Sequence, residues 1–296
     1  MNNYDTLLAV TGWEERFELG IELFLNENHV KQVILFDFVD YSDKVKNNVN
    51  KISMYFDRKG IANSLIQLKH NDNSGNWKIV RDTINNMVGT LVVNISTMPR
   101  DIIYFSLYHA KNSEKISNLY CIYNSPKGYS NDNWLTSDPC KPQLIYNMSG
   151  IFEMGKDTIL IILTGFDRKR VEQLLNYYEP RKIYMGLQTG EQYQNNILNA
   201  ERHIELFKSN LNINCFDFDA FIEGDYGFHK IEEIIKENIN SNIIAASLGP
   251  KPSSIALFRL NIEYPNIGLI HVPVTIYNMN YSFGINENLT IFEQIK

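Results

Sequence analysis

NIIAASLGPKPSSIALFRL, residues 242–260, changes its hydrophobic period halfway along. It opens as a short apolar strand over 243–246, breaks at Ser-Leu-Gly-Pro-Lys-Pro, and resumes with helical spacing through Ile255, Leu257, Phe258 and Leu260. A strand that stops at Gly249 and hands over to a helix beginning Ser253-Ser254 leaves first-turn backbone N–H groups unpaired. The helix dipole favours negative charge at that point, and Lys251 adds a full positive charge beside it. The same layout occurs at residues 90–108, TLVVNISTMPRDIIYFSLY, where Ser96, Pro99 and Arg100 match Ser247, Pro250 and Lys251.

Outward from these two stretches, strand and helix patterns alternate. Strands are predicted at 6–10, 33–38, 64–68, 91–95 and 119–123, with helices at 13–25, from Ser42 or Asp43 to Lys59, at 77–87 and at 102–111. The strands are short apolar runs of the kind buried on both faces of a parallel sheet, and the crossovers are long enough for parallel pairing. Residues 125–155 are rich in Pro, Gly, Asn, Ser and Asp and interrupt the alternation. They read as a surface connection with little apolar area to bury, containing one strand-like run at 143–148. The pattern then restarts, with strands at 158–163, 182–187, 214–218, 243–246 and 268–272 and helices ending near 178, at 195–208, at 229–238 and after Ser253. Thr11-Gly12-Trp13 recurs as Thr164-Gly165-Phe166, and Tyr129-Ser130 recurs as Tyr281-Ser282. These matches share one offset of about 150 residues, which means two copies of a domain and not a solenoid. The expected division is 1–125, a connecting segment 126–155, and 156–296 with a C-terminal extension.

Composition bounds the function. The 296 residues suit two domains, and 44% apolar with 21% charged residues is ordinary for globular chains. A net charge of −6 argues against a dedicated nucleic-acid binder, whose electrostatic footprint is basic. Cys121, Cys140 and Cys215 are few and scattered, so neither a disulfide framework nor a zinc site is signalled. The first ten residues lack the basic and apolar regions of a signal peptide, and no apolar run approaches a membrane span. The expectation is a cytoplasmic protein with no membrane segment, no metal and no resident cofactor.

In an open parallel sheet, ligands bind beyond the carboxyl ends of the strands, where the strand order reverses. Candidate ligand contacts in the first copy are Thr11, Gly12, Arg16, Ser96, Thr97 and Arg100. In the second they are Thr164, Gly165, Arg168, Ser247, Gly249, Lys251, Ser253 and Ser254. Small hydroxyls, glycines, helix starts and a fixed cation suit a phosphate or carboxylate. The same residues also suit plain strand-to-helix turns. No P-loop, dinucleotide fingerprint or nucleophile elbow occurs, and the six histidines have no metal-ligand spacing. Glu15, Asp37 and Asp40 are the candidate acid/base groups, and Glu14 and Glu15 equally suit a helix first turn.

At the Ser-Leu-Gly-Pro-Lys-Pro loop the chain resembles the Rossmann-like, CARF-type ligand-sensing domains of prokaryotic antiviral defence systems. Those domains carry a Gly-x-Lys turn after a late strand and a small polar loop after the first. The resemblance implies ligand contacts at Ser247, Gly249, Lys251, Ser253, Thr164 and Gly165, and in the first copy at Ser96, Thr97, Arg100, Thr11 and Gly12. The first copy departs from it, with Met98 where the glycine is expected. Domains of this type dimerise around a cyclic oligonucleotide, and a tandem pair imitates such a dimer.

The combined expectation is α/β: two tandem Rossmann-like doubly wound parallel-sheet domains related by internal duplication. The leading functional reading is a sensor or accessory subunit of a multi-component system, of the antiviral-defence kind that the resemblance implies. It would bind an anionic small molecule or nucleotide in a cleft between the domains. A nucleotide-processing enzyme using the carboxylates, and a protein–protein scaffold with a vestigial pocket, are the alternatives. A protein partner or homo-oligomer is expected.

Overall fold

The computed structural model describes residues 2–130, 134–189, 201–203, 205–206, 212–286 and 290–296. The first half of the chain forms β1 (Asn2–Val10), α1 (Glu15–Glu27), β2 (Asn28–Phe38), α2 (Ser42–Lys59), β3 (Ala62–Leu68), α3 (Asn73–Asn85), β4 (Gly89–Asn94), α4 (Arg100–Asn112) and β5 (Ile116–Asn124). Three short strands follow: β6 (Gly128–Tyr129), β7 (Thr136–Pro139) and β8 (Gln143–Leu144). The second half forms β9 (Thr158–Leu163), α5 (Arg168–Tyr178), β10 (Lys182–Gln188), β11 (Ile213–Phe218), α6 (Phe228–Glu237), β12 (Asn242–Ser247), α7 (Ser253–Glu263) and β13 (Gly268–His271). It closes with β14 (Val274–Tyr277), β15 (Ser282–Phe283) and β16 (Thr290–Gln294). The helix expected at 195–208 falls largely outside the described residues.

Each half builds a six-stranded sheet in the same order. The first runs β16-β5-β4-β1-β2-β3 and the second β8-β13-β12-β9-β10-β11, parallel throughout except for the strand named first in each. The fold is therefore two Rossmann-like α/β sheets of identical strand order, as the internal repeat predicts. In the first sheet, β1 and β2 pack Leu7, Ala9, Val33 and Leu35 against Phe17, Ile21, Phe24 and Leu25 of α1 and Ile52 and Phe56 of α2. The second core repeats this with Leu160, Ile162 and Met185 against Val171 and Leu174 of α5. Gly60 ends α2 in the left-handed region at φ 66°, which a side chain would strain. Helix α3 starts four residues earlier than its apolar spacing suggests, because Asp72 caps it by accepting the Gly75 N–H at 2.9 Å.

The division into domains differs from the sequence expectation at both boundaries. One compact unit is Met1–Asp132 with Met279–Lys296, and the other is Asn133–Asn278. The C-terminal extension thus belongs to the first unit, where β16 lies antiparallel to β5. The connecting segment is likewise not a bare surface loop. Its β8 extends the second sheet beside β13, and Ile145 and Met148 are buried there, with Ile145 donating to Leu269 at 2.9 Å and Leu269 to Met148 at 2.7 Å. The recurring Tyr-Ser pairs meet each other: β6 pairs with β15, and the rings of Tyr129 and Tyr281 lie 5.1 Å apart.

Candidate functional site

Strand order 3-2-1-4-5 reverses between the first and fourth strands of each sheet, so the loops leaving β1 and β4, and those leaving β9 and β12, are neighbours at a switch point. Most of the residues singled out from the sequence converge there.

In the first unit, the loops are fastened by side chains. Thr11 donates its N–H to Phe36 O at 2.8 Å and its hydroxyl to Asp37 Oδ1 at 2.6 Å. The other oxygen of Asp37 accepts a short hydrogen bond from Ser42 Oγ, so this buried carboxylate joins the β1 exit to the start of α2. Asn48 donates to Gly12 O at 3.0 Å and Thr97 to Val10 O at 3.0 Å. Ser96 N–H bonds to Asn94 Oδ1, and Ser96 Oγ accepts the Asn124 N–H at 2.9 Å. Arg100 is the first residue of α4, half-buried, and its charge reaches Tyr123. Glu15 accepts from Gly284 N–H at 2.7 Å and Asp40 from His70 N–H at 2.6 Å, so both candidate acids brace loops. The His70 ring is pushed below the ordinary histidine pKa by burial, against the pull of Asp40 and Asp101.

Arg16 is buried among polar groups. Its Nε lies 2.7 Å from Glu14 Oε2, its Nη1 donates to Asn124 O at 3.3 Å, and the Tyr123 ring sits 5.9 Å away. Burial opposes its charge, but the Glu14 carboxylate and the Tyr123 and Tyr129 phenols hold its pKa above the ordinary arginine value. Burial likewise raises the Tyr123 phenol, partly offset by Arg16.

In the second unit the two exit loops meet through their backbones. Thr164 repeats Thr11, its N–H and hydroxyl both reaching Gly186 O at 2.9 and 2.7 Å. Gly165 and Gly249 then cross so closely that a Cβ on Gly165 would lie 2.7 Å from Leu248 O, and one on Gly249 would lie 2.5 Å from Thr164 O. The hydroxyls of Ser247, Ser253 and Ser254 are buried together: Ser247 and Ser253 at 2.7 Å, Ser254 donating to Ser247 at 3.3 Å, and Ser253 donating to Pro250 O at 2.7 Å. These serines stitch the turn, while Gly249 and Lys251 are the half-buried members of the loop. Arg168 opens α5 on the surface, paired with Glu172 at 2.7 Å and Glu205 at 3.0 Å, and those hydrogen bonds raise its pKa.

The structure moves one alignment by a residue. Leu8 lies opposite Val93 and Ile161 opposite Ala245. Counted from there, Thr97 occupies the place of Gly249, Ser96 that of Leu248, and Ile95 that of Ser247. The contacts agree, because a Cβ on Gly12 would meet Thr97 at 3.1 Å where Gly165 meets Gly249. Thr97, not Met98, therefore stands at the glycine position of the second copy. The partner of Arg16 also differs from the sequence match: it is Arg170, whose Nε lies 2.7 Å from Asp167 and whose Nη1 reaches Val272 O at 3.5 Å. Glu14 and Arg16 are two apart and Asp167 and Arg170 three apart, so the fixed offset that matches Thr11 to Thr164 falls on Lys169, and the first basic residue of the loop, Arg168, is not the counterpart either.

Compared with models of known protein families and with curated proteins, the chain matches none. Among the described residues, no helix is long and apolar enough to cross a membrane, and no group of three or more His, Cys, Asp or Glu could hold a metal ion.

Proposed function

We propose that the protein binds an anionic small molecule, a nucleotide, at the strand-exit loops of its Rossmann-like units. In this reading it serves in the cytoplasm as a sensor or accessory subunit of a multi-component system, the role that likeness to CARF-type domains implies. The observation that carries the proposal is the switch point itself. In both units the first and fourth strands are neighbours, and a basic residue stands at or just before the following helix start, Arg100 at α4 and Lys251 at α7. The helix dipole and the basic side chain both favour an anion at such a loop, although at α7, against the sequence expectation, the N–H groups of Ser253, Ser254 and Ile255 already donate to the carbonyls of Pro250, Lys251 and Pro252. The three candidate acids accept hydrogen bonds that hold the fold together, so the geometry favours binding over acid/base turnover.

The test is a thermal-melt and equilibrium-dialysis screen with ATP, NAD and cyclic di- and triadenylate, alongside mass spectrometry of small molecules carried through purification. A specific ligand at about 100 times its Kd should stabilise the protein by about 2.7 kcal/mol. No shift with any nucleotide, together with no co-purifying anion, would remove the proposal.

A further inference from the structure

Each half of the chain completes the other half's sheet. The tail of the first repeat supplies β8 to the edge of β13, and the tail of the second supplies β16 to the edge of β5. The remaining tail strands pair with one another, β6 with β15 and β7 with β14. The exchange is fastened twice by the same chemistry. Ser282, from the second tail, donates a short hydrogen bond to Glu14, which is paired with buried Arg16, whose guanidinium reaches Asn124 O at the end of β5. Thr136, from the first tail, donates a short hydrogen bond to Asp167, which is paired with buried Arg170, whose guanidinium reaches Val272 O just past β13. A tail hydroxyl, a carboxylate, an arginine and a strand-end carbonyl thus recur in both units. Aromatic packing adds to the first, where Phe292 of β16 stacks on Tyr120 at 5.0 Å and meets Phe24 at 6.2 Å.

The covalent join between the repeats is by contrast unburdened. Met154 is fully exposed, and a Cβ added to Gly155, at φ 85°, would meet nothing within 4 Å. Asn242 fixes both flanks of the loop, accepting from Glu153 N–H at 2.8 Å and donating to Glu153 O at 3.0 Å and Lys156 O at 3.2 Å.

We propose that residues 1–154 and 155–296 are mutually complementary polypeptides, each recognising the other through the exposed edge of its fifth parallel strand and its carboxylate–arginine pair. The peptide bond at 154–155 is then dispensable for assembly. An unpaired sheet edge is a ready template for such strand addition.

The experiment inserts a specific protease site between Met154 and Gly155 of the full chain and cleaves it in native buffer. The two pieces should co-elute at the volume of the uncut protein and part only in denaturant; pieces that elute separately in native buffer would overturn the proposal. Cleaved protein carrying Ser282→Ala with Phe292→Ala should dissociate at least about tenfold faster, since a hydrogen bond to a charged group contributes about 1.5–3 kcal/mol. Its uncut form, followed by circular dichroism, reports whether the variant folds, and Ser282→Ala alone is the milder substitute. Dissociation unchanged from the wild-type sequence would show that the tails are not the grip and would equally overturn the proposal.

Discussion

The two switch points share strand order and differ in what holds them. In the first unit, a buried carboxylate does the joining: Asp37 takes hydroxyls from Thr11 and Ser42. In the second, the place of Asp37 falls to Leu187, and two glycines bring the backbones of the exit loops into contact. Topology has outlasted chemistry in this duplication. A loop crossing can be fixed by side-chain hydrogen bonds or by removing side chains altogether, and each solution tolerates different substitutions.

The largest effect should come from the deeper of the two acid–arginine pairs. Asp167 and Arg170 are 3% and 4% exposed at the side chain, against 19% and 9% for Glu14 and Arg16. Asp167→Ala strands a buried guanidinium and should cost about 3–5 kcal/mol in urea unfolding. Glu14→Ala should cost about 1–3 kcal/mol, because more water reaches that pair. Equal losses would mean that the pairs are equally buried in solution.

A second contrast lies on the helices after the fourth strands. Helix α4 buries His109 against Trp77, with ring centroids 4.1 Å apart, whereas the matching position of α7 is Asn261, which donates to Ile267 O at 2.7 Å. Burial, helped by Arg81 and opposed by Asp82, pushes His109 from 6.5 down to about 4. The unfolded chain therefore takes up this proton before the folded one. Stability is full above pH 6.5 and falls as the pH drops, by up to about 3 kcal/mol near pH 4. Melts from pH 7 to 4.5 should show a smaller loss in His109→Gln than in the wild type; parallel curves would place the ring in water.

Next are the glycines. Gly249→Ala puts a methyl group 2.5 Å from a carbonyl oxygen and should cost about 1–3 kcal/mol. Gly12→Ala meets side chains alone, Thr97 at 3.1 Å and the Phe17 Cβ at 3.3 Å, and should cost about 1 kcal/mol or less. A reversed order of melting temperatures would break the distinction between backbone and side-chain fastening.

The sheets are legible in the sequence because parallel strands buried on both faces are short apolar runs, and because the repeat supplies each reading twice. The strand exchange is not legible. Gln143-Leu144 and the last strand are brief and mixed in polarity, and which edge a short strand joins depends on contacts distant in the chain. At the candidate site, Thr11 and Thr164 stand out because Thr-Gly recurs, although the oxygens and the neighbouring exit loop that use these residues lie distant in the chain. Asp167 is visible as the acid that repeats Glu14, but Arg170 and Thr136 escape notice, Thr136 because it joins Asp167 only once the tail returns. The match of Ser96 with Ser247 is off by one residue for a related reason: hydroxyls recur in both loops, while the register is set by strand pairing upstream.

Binding at the switch points is tested most directly by titrating the tightest-binding nucleotide of the screen into wild type, Lys251→Ala and Arg100→Ala, with melts in parallel. Loss of a charge-assisted contact of about 1.5–3 kcal/mol should weaken binding by one to two decades. Lys251→Ala should show it if the second unit binds, and Arg100→Ala as well if both do, each with a nearly unchanged melting temperature. Unchanged affinity in both variants would contradict the account, and a large drop in melting temperature for Lys251→Ala would make that lysine part of the fold instead of the site.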